Sequence, residues 1–245
     1  MKKYKFTGET KTICLPFGTV TLHRIKAVVE FGLVKVGDLG GWIEKEENLS
    51  HEENAWVYGN AKVCGNAKVY GNAKVYGDAE VCGNAKVCGN ADVYGDAKVC
   101  GNAWVYDNTW VYDNAWVCGN ANVCGKAWVC GDAKVYGDAK VCGNAEVCGN
   151  AKVFSADHVL VIGAIGSRND FTTFFRDKDN EITVKCGCFL GKIDKFLEKV
   201  TQTHKDTKHA LVYRAAVEVA KLQIDLTEKV QGDEKVNGKS KIKIY

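Results

Sequence analysis

The chain has 245 residues, and 46% of them are apolar, which suffices for a hydrophobic core and excludes a wholly disordered chain. The 33 basic and 30 acidic side chains leave a net charge of only +3, too little for the basic stripe that backbone-driven nucleic-acid binding requires. No apolar stretch approaches the ~18 residues of a membrane-spanning helix, and the N-terminal residues lack the apolar segment of a signal peptide. We therefore predict a cytoplasmic location, no membrane contact and no nucleic-acid partner.

The first 53 residues are predicted to form a β-rich N-terminal cap. Residues 19–29 are rich in β-branched side chains and predict a strand, whereas the glycine-containing segment 37–42 predicts a turn. The cap leads into a repeat that begins at Asn54.

From Asn54 to Val153 the sequence repeats every six residues without insertion or deletion, through 17 copies of Asn/Asp-Ala-x-Val-Tyr/Cys-Gly. Ala and Val are two residues apart, so they share one side of an extended strand, while the variable residue and the Tyr or Cys lie on the other. Gly followed by Asn or Asp favours a turn, because these residues tolerate left-handed backbone angles. The period therefore predicts a β-solenoid over residues 54–156.

The hexad resembles the repeat of left-handed parallel β-helix proteins, which have an aliphatic residue at the first place, as at Val57, and a small one at the fifth, as at Ala61. In that family three hexads close one triangular coil around these side chains. A pentapeptide-type or right-handed solenoid is the alternative. The lead-in Gly40-Gly41-Trp42, followed by residues 48–50, resembles hexapeptide-repeat proteins of bacteria, phages and prophages.

If three hexads make one coil, positions three hexads apart stack one above another. Asn side chains at the corners should then form ladders between coils (Asn66, Asn84, Asn102, Asn120). Aromatic side chains should share one outer wall, the first candidate binding surface (Tyr58, Tyr76, Tyr94, Trp110, Tyr112, Trp128). A second candidate set lies nearby in the sequence (Trp104, Tyr106, Trp116). Drift on a tolerant surface together with ordinary burial in an oligomer is the favoured explanation of the tryptophan cluster, because large apolar patches mark protein contacts. A dedicated ligand or partner site is the alternative.

Nine of the 12 cysteines occupy the repeat position that is otherwise Tyr, so this site selects a medium-sized apolar group. We predict reduced thiols there, because the parallel orientation of stacked cysteines is poor for a disulfide dihedral angle. A ladder of soft thiolates that binds metal is the alternative, but no tetrahedral zinc spacing is present, and we predict no metal and no cofactor. Cys186-Gly187-Cys188 is weak evidence for either role.

Many hexapeptide-repeat proteins are acyltransferases with a catalytic His, and others resemble gamma-class carbonic anhydrases with three His ligands. This chain has no His between Asn54 and Val153, so the chemistry of the family has no base or ligand on the solenoid. We predict no enzymatic activity and no catalytic residue. An acyltransferase-like enzyme that uses His51 or His158, which flank the repeat, is the alternative.

Residues 157–226 are predicted to form a small α+β domain, with strands over 158–162, 171–175 and 181–185 and two helices over about 193–222. Thr207 or Asp206 is a candidate cap of the second helix. The loop of Ser167, Arg168 and Asn169 is a possible anion-binding site; a turn with a solvated Arg is the alternative. The charged tail, 227–245, is predicted to be poorly ordered apart from a last strand over 242–245.

The predicted fold is thus mainly β: a left-handed parallel β-helix of about six 18-residue coils, with a β-rich N-terminal cap and a small α+β C-terminal domain. The function that these features favour is a non-catalytic binding or scaffold protein of phage or prophage type, acting in the host cytoplasm and interfering with a host factor. Its aromatic wall would bind a protein partner or a small ligand, and a homo-oligomer, with a trimer favoured, would bury it. A purely structural spacer is a further alternative.

Overall fold

The structure of the chain, a computed structural model, describes residues 1–15 and 18–227. Within these residues the helices are α1 (Ile193–His204) and α2 (Lys208–Gln223), and 3-10 turns lie at Glu46–Asn48 and Ala156–His158. The strands, in chain order, are β1 (Tyr4–Leu15), β2 (Gly18–Ala27), β3 (Leu39–Ile43), β4 (Trp56–Val57), β5 (Lys62–Val63), β6 (Lys68–Val69), β7 (Lys74–Val75), β8 (Glu80–Val81), β9 (Lys86–Val87), β10 (Asp92–Val93), β11 (Lys98–Val99), β12 (Trp104–Val105), β13 (Trp110–Val111), β14 (Trp116–Val117), β15 (Asn122–Val123), β16 (Trp128–Val129), β17 (Lys134–Val135), β18 (Lys140–Val141), β19 (Glu146–Val147), β20 (Lys152–Val153), β21 (Val159–Ile165), β22 (Asp170–Arg176), β23 (Ile182–Cys186) and β24 (Phe189–Lys192).

The repeat forms a parallel β-solenoid of about six turns, and each turn takes three hexads. Val93, for example, pairs with Val75 on one side and with Val111 on the other. Every third strand therefore joins the same sheet, which gives three sheets in the orders β4-β7-β10-β13-β16-β19, β6-β9-β12-β15-β18 and β5-β8-β11-β14-β17-β20. The predicted coil length and the parallel pairing are confirmed.

The interior of the solenoid is formed by Ala and Val, as the alternation within each hexad predicts. The valines of all 17 hexads are fully buried, and so is the residue two places before each of them, which is Ala except at Thr109. Burial of these columns stabilises the coils by about 25 cal/mol for each Å² of apolar surface removed from water.

Glycine corners and amide ladders set the spacing between turns. The corner glycines have a positive φ, and a Cβ on Gly83 would lie only 3.0 Å from the backbone N of Gly101 in the next turn. The predicted Asn ladder is confirmed, because each side-chain amide donates to the next one at 3.0–3.2 Å (Asn66 to Asn84, Asn84 to Asn102, Asn102 to Asn120). The ladders give the side-chain amides at the corners hydrogen-bond partners in the neighbouring turns.

The N-terminal segment covers the first turn. β1 and β2 form an antiparallel hairpin, and β2 pairs with β3, which continues in parallel onto β5 through the pair Ile43–Val63. The hydroxyl of Tyr4 donates to the carbonyl oxygens of Glu46 and Leu49 at 2.9 and 3.0 Å. The first edge of the solenoid is therefore paired, which removes a template for further strand addition.

The C-terminal segment is a four-stranded antiparallel sheet, in the order β21-β22-β23-β24, packed against α1 and α2. The three predicted strands and both predicted helices are confirmed, whereas the short strand β24 was not predicted. Thr207 precedes α2 at the N-cap position, but its side chain makes no capping hydrogen bond. Phe175 is buried in the core of the solenoid, so this sheet covers its last turn.

The predicted strand over 242–245 and the predicted disorder of the tail fall on residues outside the described part of the chain. Among residues 1–15 and 18–227, no helix combines the length and the apolar character needed to cross a bilayer.

Candidate functional site

The outer surface of the sheet that runs from β4 to β19 carries two columns of side chains, which together we call the aromatic face. One column lies at the variable place of the hexad and the other at the Tyr/Cys place, and the two are two residues apart on the same strand side. The first column runs Trp56, Lys74, Asp92, Trp110, Trp128 and Glu146, and the second Tyr58, Tyr76, Tyr94, Tyr112, Cys130 and Cys148. All six residues predicted for the aromatic wall lie on this face.

Three of the four tyrosines form a parallel ring stack. Tyr76, Tyr94 and Tyr112 lie almost parallel, with ring centroids 4.8 and 5.0 Å apart and interplanar angles of 2° and 4°. Tyr58 meets Tyr76 edge to face at 6.5 Å. The three-hexad period imposes the stack, because each coil repeats the position of the ring below it.

The two tryptophans of this face form a second stack beside the first. The rings of Trp110 and Trp128 are 5.1 Å apart and 4° from parallel, and 40% and 37% of their surfaces remain exposed. Asp92 lies directly before Trp110 in the parallel ladder. The open part of the face thus offers two indole rings, a row of phenols and one carboxylate.

Both ends of the aromatic face are closed by the caps. Trp56 belongs to the same column as Trp110, but the N-terminal cap buries it completely, with the ring of Phe31 edge-on at 5.3 Å. At the other end, Glu146 pairs with Lys185 at 3.0 Å, and its backbone N–H donates to the hydroxyl of Thr173. The accessible aromatic surface is therefore limited to the middle turns.

Burial controls the ionisation of this face. It raises the pKa of Tyr76 to about 12, with Asp92 and Tyr94 acting in the same direction, and it raises the pKa of Tyr94 and Tyr112 as well. Burial also raises the pKa of Asp92, while Lys74 opposes that rise. At neutral pH the phenols are uncharged, so the face presents apolar rings and hydrogen-bonding groups. Apolar surface and the negative faces of the rings suit aromatic, aliphatic or cationic groups.

The second candidate set does not form one surface. Trp104 and Tyr106 lie together on the five-stranded sheet, with ring centroids 4.9 Å apart, whereas Trp116 lies on the sheet of β14. The indole N–H of Trp104 donates to Cys88 Sγ at 3.3 Å, and that of Trp116 donates to Cys100 Sγ at 3.2 Å. Three hexads make one turn, so tryptophans six residues apart in sequence lie on different sheets of the solenoid.

The loop predicted to bind an anion is a tight turn between β21 and β22. Asn169 has a positive φ of 49°, and Arg168 pairs with Asp170 at 3.8 Å and lies against Gly187. Ser167 Oγ is 3.5 Å from His204 Nε2. An acidic partner already offsets the charge of Arg168, which favours the interpretation as a turn over an anion site.

The two histidines that flank the repeat lie inside the caps. His51 stacks on Tyr4 at 4.3 Å, and its Nδ1 accepts the backbone N–H of Lys3. His158 is fully buried, with Nδ1 accepting from the backbone N–H of Phe154 at 3.3 Å and Nε2 3.3 Å from the guanidinium of Arg176. Burial lowers the pKa of His51. Both imidazoles thus contribute to cap packing.

The prediction of reduced thiols is wrong for four cysteines. The structure joins Cys124 to Cys142 and Cys130 to Cys148, with Cα atoms 4.6 and 4.7 Å apart. Stacking on successive turns places these residues inside the Cα range of a disulfide, which outweighs the argument from parallel orientation. Cys186 and Cys188 are free thiols. Within the described residues, no group of three or more His, Cys, Asp or Glu side chains is arranged to hold a metal ion.

Sequence reasoning missed Asp92 as part of the candidate site. The sequence spacing could have identified it, because Asp92 lies three hexads before Trp110 and three hexads after Lys74 and therefore belongs to the same column. Comparison with known proteins found no matching family model and no matching curated protein.

Proposed function

We propose that this chain is a non-catalytic binding protein that uses the aromatic face as its contact surface. The observation that carries the proposal is the stacked, exposed pair of Trp110 and Trp128, which stands where Lys is the commonest outward residue of the repeat. Indole rings exposed on a rigid sheet retain apolar area that only contact with another molecule removes from water. Rigid aromatic anchors also lose little conformational entropy on binding.

The first occupant that we propose is a second copy of this chain, in a homo-oligomer for which a trimer is favoured. The solenoid is taken to be the left-handed form, and the hexapeptide-repeat proteins that it resembles often form trimers along the solenoid axis. The parallel tyrosine rings and the two indoles form a flat apolar surface that the same surface of a second copy can cover. Asp92 and Lys74 carry opposite charges, which can fix how the two copies align.

The biological role that we propose is that of a phage or prophage protein acting in the host cytoplasm, where the assembled solenoid contacts a host protein. The resemblance of the lead-in around Gly40-Gly41-Trp42 supports this origin. The small C-terminal domain adds a second surface to such a contact. No catalytic step is part of the proposal, and the histidines at the two caps are assigned structural roles.

The test is a triple variant of the full chain, Tyr94→Ser, Trp110→Ser and Tyr112→Ser. All three side chains point outward, so the fold should persist, and light scattering should show a lower mass than for the natural chain. Aromatic residues near the centre of a contact typically contribute ~2 kcal/mol or more each. The matched control is Trp104→Ser with Tyr106→Ser, which removes a neighbouring aromatic pair from a different sheet and should leave the mass unchanged.

Other outcomes separate the remaining interpretations. The natural chain could instead be monomeric and bind a host protein through the same three residues. That result would replace self-association with binding to a host protein as the function of the aromatic face. A natural chain that is monomeric and binds nothing, with a triple variant that behaves identically, would overturn the proposal. Thioester turnover lost in His51→Ala or His158→Ala would show an enzyme instead.

A further inference from the structure

Four cysteines form a continuous column on the outer side of the sheet that runs from β5 to β20, which we call the thiol column: Cys64, Cys82, Cys100 and Cys118. One cysteine stands on each turn. The backbone N–H of each donates to a valine carbonyl of the following turn at 2.9–3.0 Å, which fixes the same step between all neighbours. All four are free thiols in the structure.

The backbone spacing between neighbouring cysteines in this column is the same as the spacing between the disulfide-bonded cysteines elsewhere on the solenoid. Cys124 and Cys130, which are bonded to cysteines one turn further on, make the same backbone contact to a valine one turn ahead, at 3.0 Å in both cases. Their Cα separations of 4.6 and 4.7 Å lie within the range of ordinary disulfides. Neighbours in the thiol column therefore have the backbone placement that a bond requires.

Cys100 is the thiol of the column whose sulfur accepts a hydrogen bond from an indole N–H, that of Trp116 at 3.2 Å. Hydrogen bonding with Cys118 and Cys82 lowers the pKa of Cys100, and Trp116 and Lys98 act in the same direction. Hydrogen bonding with Cys82 also lowers the pKa of Cys64. The same hydrogen bonds raise the pKa of Cys82 and Cys118. A thiol with a lowered pKa between two thiols with raised pKa values is an arrangement suited to exchange.

Access to the column differs along its length. Cys82, Cys100 and Cys118 are half-buried, whereas only 3% of Cys64 is exposed. Oxidation of Cys64 must therefore pass through Cys82. The buried Cys88 provides a natural comparison, because its neighbours one turn away are Tyr70 and Tyr106 rather than cysteines.

We propose that the thiol column is a thiol–disulfide exchange site that takes a low-molecular-weight disulfide as its substrate and stores the oxidation as bonds between turns. The thiolate of Cys100 attacks one sulfur of the substrate, whose S–S bond breaks and releases one thiolate, which takes up a proton. Cys118 or Cys82 then loses its proton and attacks Cys100 Sγ, releasing the second half of the substrate as a thiol. Two cysteines are oxidised and one substrate disulfide is reduced to two thiols.

The geometry also lets the bond move along the column. If Cys82 and Cys100 bond first, the thiolate of Cys64 attacks Cys82 Sγ and releases Cys100 as a thiolate. Cys100 then reacts with a second substrate molecule and is resolved by Cys118. Full oxidation therefore ends in the pairs Cys64–Cys82 and Cys100–Cys118.

The experiment uses the full chain, reduced with a phosphine, desalted under argon and incubated with oxidised glutathione. Differential alkylation and peptide mass spectrometry measure the oxidised fraction of each cysteine, and the intact mass reports retained glutathione. Chymotryptic peptides separate Cys100 from Cys118, because aromatic residues lie between them. We expect all four column cysteines to become oxidised without retained glutathione, while Cys88 stays reduced although it is buried like Cys64.

Two variants define what would overturn the proposal. Cys82→Ser should protect Cys64 and leave the pair Cys100–Cys118 able to form. Cys82→Ser with Cys118→Ser should leave a glutathione adduct on Cys100 that is not resolved. A column that stays reduced in the natural chain, retention of glutathione at every position, or equal oxidation of Cys64 and Cys88 would overturn the proposal. Circular dichroism checks the variants, and the comparison of Cys64 with Cys88 needs no substitution.

Discussion

Asp107 holds its backbone at a φ of +64° and accepts, through Oδ2, a hydrogen bond of 3.0 Å from the backbone N–H of Gly125 one turn further along. Asp113 repeats this relationship with Gly131 at 3.2 Å. An Asp thus replaces the corner glycine at two places, and its carboxylate offsets the unfavourable left-handed backbone by bonding to the next turn.

The corner at Asp107 gives a prediction about stability. Asp107→Ala keeps the left-handed backbone and removes the acceptor, so the free energy of unfolding should fall by about 2 kcal/mol. Asp107→Gly relieves the backbone while losing the same hydrogen bond, and should stay within about 1 kcal/mol of the natural chain. Chemical denaturation measures both. Equal losses for the two variants would contradict the role assigned to the left-handed backbone.

Thr109 is the exception in the buried alanine column, and its hydroxyl has no hydrogen-bond partner among the described residues. Thr109→Val keeps the shape and removes the unsatisfied group, so we expect the free energy of unfolding to rise by about 1 kcal/mol. Thr109→Ser keeps the hydroxyl and loses a packed methyl, and should be less stable than the natural chain. Thermal unfolding of the three proteins gives the order, and a Val variant that is less stable than the natural chain would show that the hydroxyl is satisfied.

The valine columns predict the response to a buried charge. Val99 and Val105 are fully buried, so replacing either by Asp places an unpaired carboxylate in the apolar interior and should cost at least about 3 kcal/mol. Lys140→Asp is the control, because Lys140 lies at an exposed outward place of the same hexad pattern. Circular dichroism and denaturation measure the change. A native Val99→Asp protein of unchanged stability would show that the inward and outward places are reversed.

The tyrosine stack predicts how stability depends on pH. The pKa of Tyr76 in the fold is about 12, whereas the unfolded phenol ionises near 10, so the unfolded chain binds fewer protons between these values. Stability should therefore be unaffected by this group below about pH 10 and should fall as the pH rises towards 12. Phenolate absorbance during alkaline titration follows the ionisation.

Tyr76→Phe is the control for that titration. It removes the phenol while keeping the ring in the stack, so the late part of the absorbance rise should become smaller. Denaturant should bring all tyrosines to an ordinary midpoint near 10. A folded chain whose tyrosines all titrate at that value would contradict the burial assigned to Tyr76.

The hexad by itself determined most of the solenoid. Ala and Val two residues apart, with a glycine corner every six residues, are sufficient to predict the short strands, the corners and the buried columns. The three-hexad turn is what the resemblance to hexapeptide-repeat β-helices implies, and the Asn66–Asn84–Asn102–Asn120 ladder and the stack of Trp110 on Trp128 follow once that turn is given. These features follow from the sequence because each coil repeats the geometry of the last, so a local pattern fixes contacts at long range.

Only the tertiary structure decided what happens at the ends and between the columns. Trp56 has the same place in the hexad as Trp110, yet the N-terminal cap buries it. The strands of that cap pair through residues outside the repeat, so the hexad period does not predict their alignment. The bonds Cys124–Cys142 and Cys130–Cys148 depend on sulfur positions that side-chain rotamers set, and β24 forms only because β23 offers it an edge. Periodicity fixes backbone spacing, whereas non-local packing fixes which side chains remain accessible and which thiols meet.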